Sequence, residues 1–194
     1  MVGQASTPAA GLQTRPRCYT LSEMATLRPS TDADVPAIAA IYAHHVRTGL
    51  ASFEIVPPTA EEIARRRMEV LKRDLPFLVA ELAGTVVGYA YASPYRLRPA
   101  YRSTLEDSIY IHPDHTRRGI GRLLLEALIA SCEAKGYRQM IAIIGDSGNV
   151  PSIGLHRDFG FEHAGTLRSV GFKFGRWVDT VLMQRPLGPG DTTP

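Results

Sequence analysis

Residues 108–122 read Ser108-Ile109-Tyr110-Ile111-His112-Pro113-Asp114-His115-Thr116-Arg117-Arg118-Gly119-Ile120-Gly121-Arg122, and the fold follows from how this stretch divides. It opens as a β-rich apolar run, passes through a basic loop holding two glycines, and ends where Ile120, Leu123/Leu124, Ala127/Leu128 and Cys132 begin to recur at helical spacing, with Gly136 as the stop. Strand, turn and long amphipathic helix therefore follow one another. The first turn of such a helix leaves backbone N–H groups unpaired and carries the positive end of the helix dipole. Gly119 and Gly121 let the backbone come close to an anion, and Arg117, Arg118 and Arg122 add positive charge. Pyrophosphate suits this pattern; an ordinary helix cap with solvated arginines is the plainer alternative, and the surroundings have to decide.

Working outward, Thr26–Pro29 reads as a short strand, and Thr31 with Asp34 opens a helix whose apolar positions are Val35, Ile38, Ile41/Tyr42 and Val46. After Pro57-Pro58, Thr59-Ala60-Glu61-Glu62 is a reciprocal capping box starting a second helix that runs to about Arg73. Phe77–Leu82 and Thr85–Ser93 form a hairpin through Ala83-Gly84, and Leu105–Ile111 is a third strand. Beyond the central helix, Met140–Ile144 is the continuous apolar run of a strand covered on both faces. A short helix near Pro151–Phe159 and strands near Glu162–Leu167 and Trp177–Gln184 complete the order β-α-α-β-β-β-α-β-α-β-β, a mixed α/β layer architecture.

Composition narrows the function. The 194 residues are 44% hydrophobic and 21% charged, as in a single globular domain. The net charge of +3, from 22 basic and 19 acidic residues, is too small a surplus for a nucleic-acid surface. No apolar stretch is long enough to span a membrane. Two cysteines, Cys18 and Cys132, are too few for a disulfide framework. Residues 1–24 lack the apolar core of a secretory signal, which points to a cytoplasmic protein with a flexible leading tail and Met24 as a candidate start. Residues 25–187 form the domain, and residues 188–194 read as a second frayed end.

No Gly-x-x-x-x-Gly-Lys-Ser/Thr and no dinucleotide fingerprint occurs anywhere in the chain, which removes P-loop and Rossmann readings. Thr116–Gly121 instead resembles the cofactor motif of the GNAT superfamily of acetyl-CoA-dependent N-acetyltransferases, Gln/Arg-x-x-Gly-x-Gly/Ala, with Thr116 standing where Gln or Arg is usual. Asn149, Leu155-His156 and Gly160-Phe161 resemble the superfamily's second cofactor-side segment. Ser103–Ile111, Ser152–His156 and Val170–Trp177 look like its phosphinothricin/methionine sulfone acetyltransferase branch, and the resemblance runs from about Leu27 to Leu187.

The resemblance implies a GNAT fold with a mostly antiparallel sheet, acetyl-CoA as co-substrate and a homodimer with Lys173–Trp177 near the interface and the substrate site. It implies that Ile109, Tyr110, Ile111, Arg117, Arg118, Gly119, Ile120, Gly121, Arg122 and Asn149 meet the cofactor, the strand splaying from its neighbour to admit the pantetheine. Glu106 becomes the general base for a substrate ammonium, and His156, where relatives carry a thiolate-protonating Tyr, a general acid or positioning residue. The plainer readings are a solvated or Arg-paired Glu and a helix His satisfied by a backbone carbonyl. Phe53, Arg96, Leu97, Arg98, Glu106, Asp107 and Ser108 become the substrate site, the arginines gripping a carboxylate or phosphinate. For Arg96 and Arg98 a solvated loop is the alternative, and for Phe53 a core anchor.

His112-x-x-His115 and His44-His45 lack a carboxylate or Cys to complete a metal set and read as surface or loop histidines; Gly145-Asp146-Ser147-Gly148 lacks the setting of a serine protease. The expected reaction is acetylation of a small amino-acid analogue such as phosphinothricin, methionine sulfone or methionine sulfoximine. The alternatives are another amine, among them a protein N-terminus, a polyamine or an aminoglycoside, and a non-catalytic acyl-CoA-binding module. Thiol release with a panel of amines separates the three. Acetyl-CoA, and neither NAD nor ATP, is expected to stabilise the fold, by about 2.7 kcal/mol at a hundredfold excess over the dissociation constant, and so to raise the thermal midpoint. A shift with ATP or NAD and none with acetyl-CoA would remove the cofactor assignment.

Overall fold

The computed structural model describes residues 25–192. The expected leading tail with Met24, Cys18 and the final two residues lie outside the described residues. The elements are β1 (Thr26–Pro29), α1 (Val35–Thr48), α2 (Ala60–Leu71), β2 (Phe77–Leu82), β3 (Thr85–Pro94), β4 (Thr104–Ile111), α3 (Ile120–Ala134), β5 (Gln139–Gly145), α4 (Val150–Asp158), β6 (Glu162–Lys173) and β7 (Arg176–Pro186). The strands form one sheet in the order β1-β2-β3-β4-β5-β7-β6, parallel at β4–β5 and antiparallel at the other pairings. This is the mixed α/β architecture and element order that the sequence implies. No helix among the described residues is long and apolar enough to cross a membrane.

Each helix forms for a local reason and then buries one face. Asp34 opens α1 by accepting the Thr31 N–H at 2.7 Å and the Thr31 hydroxyl at 3.0 Å, while Arg28 grips both its oxygens at 2.7 and 2.8 Å. That bidentate hydrogen bond holds the Asp34 carboxyl down at about 2. The box expected at α2 is only half made: the Thr59 hydroxyl accepts the Glu62 N–H at 3.2 Å, but the Glu62 carboxylate turns outward to Arg65 and Arg66, because two guanidiniums outcompete one backbone donor. In α3, Leu124, Leu125, Leu128 and Cys132 are fully buried against the sheet. Burial also pushes the Cys132 thiol up to about 12, which leaves it an inert core group.

Three expectations change in the folded chain. Met140, Ala142 and Ile144 of β5 are buried, yet Ile143 is 39% exposed, so the strand is not covered on both faces. β6 runs past Leu167 to Lys173, with register irregularities at His163/Gly165 and Leu167/Gly171. The expected frayed end is, as far as Thr192, a series of turns: Gly190 is buried, its N–H bonds the Leu187 carbonyl at 2.9 Å, and Arg138 donates to the Gly190 carbonyl at 2.5 Å.

The α1–α2 connection crosses the end of β5 so closely that a Cβ on Gly145 would lie 2.1 Å from the Leu50 carbonyl oxygen. Gly145→Ala is therefore expected to destabilise by about 1–3 kcal/mol, since backbone must move to make room. Gly154, inside α4, is the control: a Cβ there meets nothing within 4 Å, and Gly154→Ala is expected to be neutral or to stabilise by about 0.5–1 kcal/mol. Denaturant midpoints of the two variants decide the matter, and equal midpoints would overturn it.

Candidate active site

Pairing between β4 and β5 runs from Thr104–Gln139 to Asp107–Ala142 and stops there, although β4 continues to Ile111 and β5 to Gly145. Past that point the strands part and enclose a cavity of about 690 Å³, walled by Ser108–Ile111 and Ala142–Gly145 and closed below by the starts of α3 and α4. The β4 edge that turns toward the gap offers amide and carbonyl groups with no strand to take them, so an extended chain bearing amides can complete the ladder. The Ile111 carbonyl is already used, by His45 Nε2 at 2.8 Å. His45 is therefore no surface histidine: it ties α1 to the end of β4.

At the mouth of α3 the backbone is set for an anion. Arg117 (φ 59°) and Gly119 (φ 80°) are both left-handed, a conformation that is strained for the arginine and free for the glycine. The N–H groups of Arg122 and Leu123 bond the Gly119 carbonyl at 3.0 and 3.1 Å. Those of Gly119, Ile120 and Gly121 have no acceptor among the described residues. The side chains depart from expectation more than the backbone does. Arg122 bonds Asp158 at 2.7 Å and lies 5.0 Å from the Phe159 ring, which staples α3 to α4 and takes its charge away from the helix mouth. The Asn149 side chain caps α4 by accepting the Ser152 N–H at 3.3 Å, on the rim of the cavity. A Cβ on Gly121 would meet Leu155 at 3.3 Å, so this glycine also sets how closely α4 approaches α3.

The pleat of β4 sends neighbouring carboxylates to opposite faces. Asp107, buried on the α3–α4 side, faces His156 Nε2 at 3.0 Å, and His156 Nδ1 donates to the Ser152 carbonyl at 2.8 Å. A carbonyl only accepts, so Nδ1 carries a proton, and Nε2 faces the Asp107 carboxyl. Burial presses the His156 pKa down, but the Asp107 hydrogen bond and charge outweigh it and the net direction is up. His156 is 4% exposed and packs edge-on to Phe161 at 5.0 Å. His156 thus makes the carbonyl contact of its plainer reading, Asp107 is its partner, and both line the cavity.

Glu106 points the other way, as do Ser108 and Tyr110. It has no hydrogen bond or ion pair among the described residues; burial, then the charge of Asp107, push its carboxyl up to about 7, and Arg96 pulls the other way. Ser108 lies opposite Tyr91 in the β3–β4 ladder. Of the expected substrate residues, Arg96 thus reaches Glu106 electrostatically while lying 5.0 Å from the Tyr95 ring. Leu97 is 79% exposed, and Arg98 precedes the short turn Pro99–Tyr101. Phe53 sits over two glycines: a Cβ on Gly171 would be 2.3 Å from its ring and one on Gly145 3.1 Å. Next to it Lys173, 3% exposed, donates to the Ser52 carbonyl at 2.6 Å. Gly145 and Gly171 make room for the Phe53 ring and escape sequence reading, although glycine inside a strand is the available sign of a close backbone approach.

An unpaired carboxyl near neutrality, beside a cleft that accepts an extended amide chain and ends at an anion-binding helix start, suits removal of a proton from an ammonium next to a diphosphate-bearing cofactor. Comparison with known proteins gives the same direction. The family model described as Acetyltransferase (GNAT) family matches residues 38–161. Phosphinothricin N-acetyltransferase of Alcaligenes faecalis is 62% identical over 168 residues, 87% of this chain and 85% of the relative. L-methionine sulfoximine/L-methionine sulfone acetyltransferase of Pseudomonas aeruginosa is 40% identical over 174 residues, 88% of this chain and 99% of the relative. The crystal structure of a GNAT superfamily phosphinothricin acetyltransferase from Sinorhizobium meliloti in complex with AcCoA superposes with a TM-score of 0.85 at 47% identity, covering 88% of this chain and 92% of that one.

The raised Glu106 pKa has a measurable linkage. The folded protein keeps the proton up to about 7, whereas the unfolded chain releases it near 4.5. Glu106 therefore favours the folded state at low pH, and that contribution is lost as pH rises through the interval. Glu106→Gln is expected to gain stability relative to wild type at about pH 8 and to show no such gain at about pH 5. Denaturant midpoints that differ equally at both values would overturn the assignment.

Proposed function

The chain belongs to the GNAT acetyltransferase family, with acetyl-CoA as its co-substrate, and we propose that it acetylates the α-amine of a small amino-acid analogue by direct attack in a ternary complex. Phosphinothricin, methionine sulfone and methionine sulfoximine are the substrates in view, since the relatives named above act on them. The observation that carries the reading is Glu106: a half-buried carboxyl, free of partners among the described residues and poised at about 7, at the strand where the cleft opens.

Bound acetyl-CoA supplies the thioester carbonyl and the thiolate leaving group. Glu106 accepts a proton from the substrate ammonium, which frees the nitrogen lone pair for attack. The free β4 edge over Ile109–Ile111 offers N–H to the oxygen that gains negative charge. The start of α3, with Gly119, Ile120 and Gly121, holds the pyrophosphate. Arg96 offers a carboxylate grip close to Glu106 and Phe53 an apolar wall, while the Asp107–His156 pair keeps the strand that bears Glu106 in place. A homodimer in the cytoplasm completes the proposal, joined through the outer β6–β7 hairpin, where Phe172, Phe174 and Trp177 are all more than half exposed.

Glu106→Gln preserves shape and hydrogen bonding but cannot take the proton. It is expected to bind acetyl-CoA as wild type does and to lose about 10²–10⁴-fold in turnover with methionine sulfone, the loss shrinking as pH rises and free amine becomes available. In the wild type, turnover is expected to rise with pH through about 7. Thiol release measured across that range is the test, and wild-type turnover by the Gln variant would show that Glu106 is not the base.

A further inference from the structure

A second cavity, of about 340 Å³, lies between α1, α2 and the β2–β3 face of the sheet. Ile38 of α1, Ile63 and Val70 of α2, and Phe77, Tyr89 and Tyr91 of the strands make its apolar wall. Tyr91 and Ser93 bring it to the reacting carboxyl. Both line the cavity, and in the β3–β4 ladder Ser93 stands opposite Glu106 and Tyr91 opposite Ser108. Directly opposed residues of an antiparallel pair share a face, with Cβ atoms about 5 Å apart. The cavity therefore begins beside Glu106, on the face to which that carboxyl points. An amine held at Glu106 has this apolar space next to it for whatever its carbon chain carries.

One cation on the wall is held in a fixed pose. Arg66 Nε donates to Glu62 at 2.8 Å and its Nη1 to Glu54 at 2.5 Å, so carboxylates of α2 and of the α1–α2 connection grip it from two sides. Glu54 in turn accepts the Tyr42 hydroxyl at 3.1 Å. Arg66 Nη2 makes no hydrogen bond among the described residues. A guanidinium anchored in this way loses little side-chain freedom when it takes one more acceptor. Arg66 also stands closest in character to the reaction: the Tyr91 hydroxyl is within electrostatic reach of Glu106, Arg66 and Glu54 together. The remaining charged groups on the wall differ. Arg65 is taken by Glu62 at 2.8 Å and Glu69 by Lys72 at 3.1 Å, while Arg73 has no ion pair among the described residues to fix its pose. Apolar wall first and an anchored donor beyond it suit a short methylene chain that ends in oxygen.

We propose that this cavity receives the side chain of the acceptor amino acid, its methylenes on the apolar wall and a terminal sulfone or phosphinate oxygen on Arg66 Nη2. This preference presupposes the reaction proposed above and names what selects its substrate. The test is thiol release by the full chain at saturating acetyl-CoA with L-alanine, L-norleucine and L-methionine sulfone. Norleucine is expected to exceed alanine in kcat/KM by about fiftyfold, the effect of burying three further methylenes. Methionine sulfone is expected to exceed norleucine by about tenfold, the effect of one charge-assisted hydrogen bond. Arg66→Met is expected to remove the sulfone's advantage and to leave norleucine and the KM for acetyl-CoA as in wild type. Val70→Phe fills the cavity and is expected to bring norleucine down to alanine, with alanine unchanged; the wild-type series decides even where this variant does not fold. A wild type that acetylates methionine sulfone but gains nothing from alanine to norleucine would overturn the proposal and leave the reaction standing. So would an Arg66→Met variant that keeps the ratio of sulfone to norleucine, or a folded Val70→Phe that keeps norleucine's advantage. No thiol release with any of the three amino acids would remove the reaction and this preference with it.

Discussion

The parting of β4 from β5 is the constraint on which the rest of the molecule depends. Two adjacent strands in the middle of a sheet give up their pairing beyond Asp107–Ala142, and an unpaired interior edge is costly unless something else takes its donors and acceptors. Neighbouring elements hold the gap open. His45 takes the Ile111 carbonyl, the α1–α2 connection lies on Gly145, and Arg122 clamps α3 to α4 beneath the opening. The edge that remains is the binding surface, so the protein keeps in its sheet a defect that a ligand can repair.

The same strand supplies the chemistry by separating two adjacent carboxylates. Asp107 goes into the protein and is compensated by His156; Glu106 goes to the opposite face and is compensated by nothing comparable. The two environments act differently. The Asp107 hydrogen bond and charge raise the His156 pKa, whereas burial without a partner leaves Glu106 near neutrality. A single swap of inward and outward positions along β4 would bury the wrong carboxylate.

Phe53 shows how the outer hairpin and the α1–α2 connection are brought together. Its ring rests where Gly171 and Gly145 have no side chains, and Lys173 ties the hairpin to Ser52. Dispersion contact, a missing Cβ and one charged hydrogen bond together position an aromatic wall that no element forms alone.

The strand, loop and helix around residues 108–122 and the glycines that free the α3 start are consequences of local rules, and the sequence alone determines them. Period, capping and φ preference act within a few residues. What the sequence left open lies in contacts between distant segments. His156 meets Asp107 across 49 positions and Lys173 meets Ser52 across 121. The direction of Arg122, the cap role of Asn149, the exposed Ile143 and the close approach over Gly145 likewise depend on which surfaces finally pack together. Only the tertiary structure decided them, because competition among donors and space at a shared interface has no signature in local periodicity.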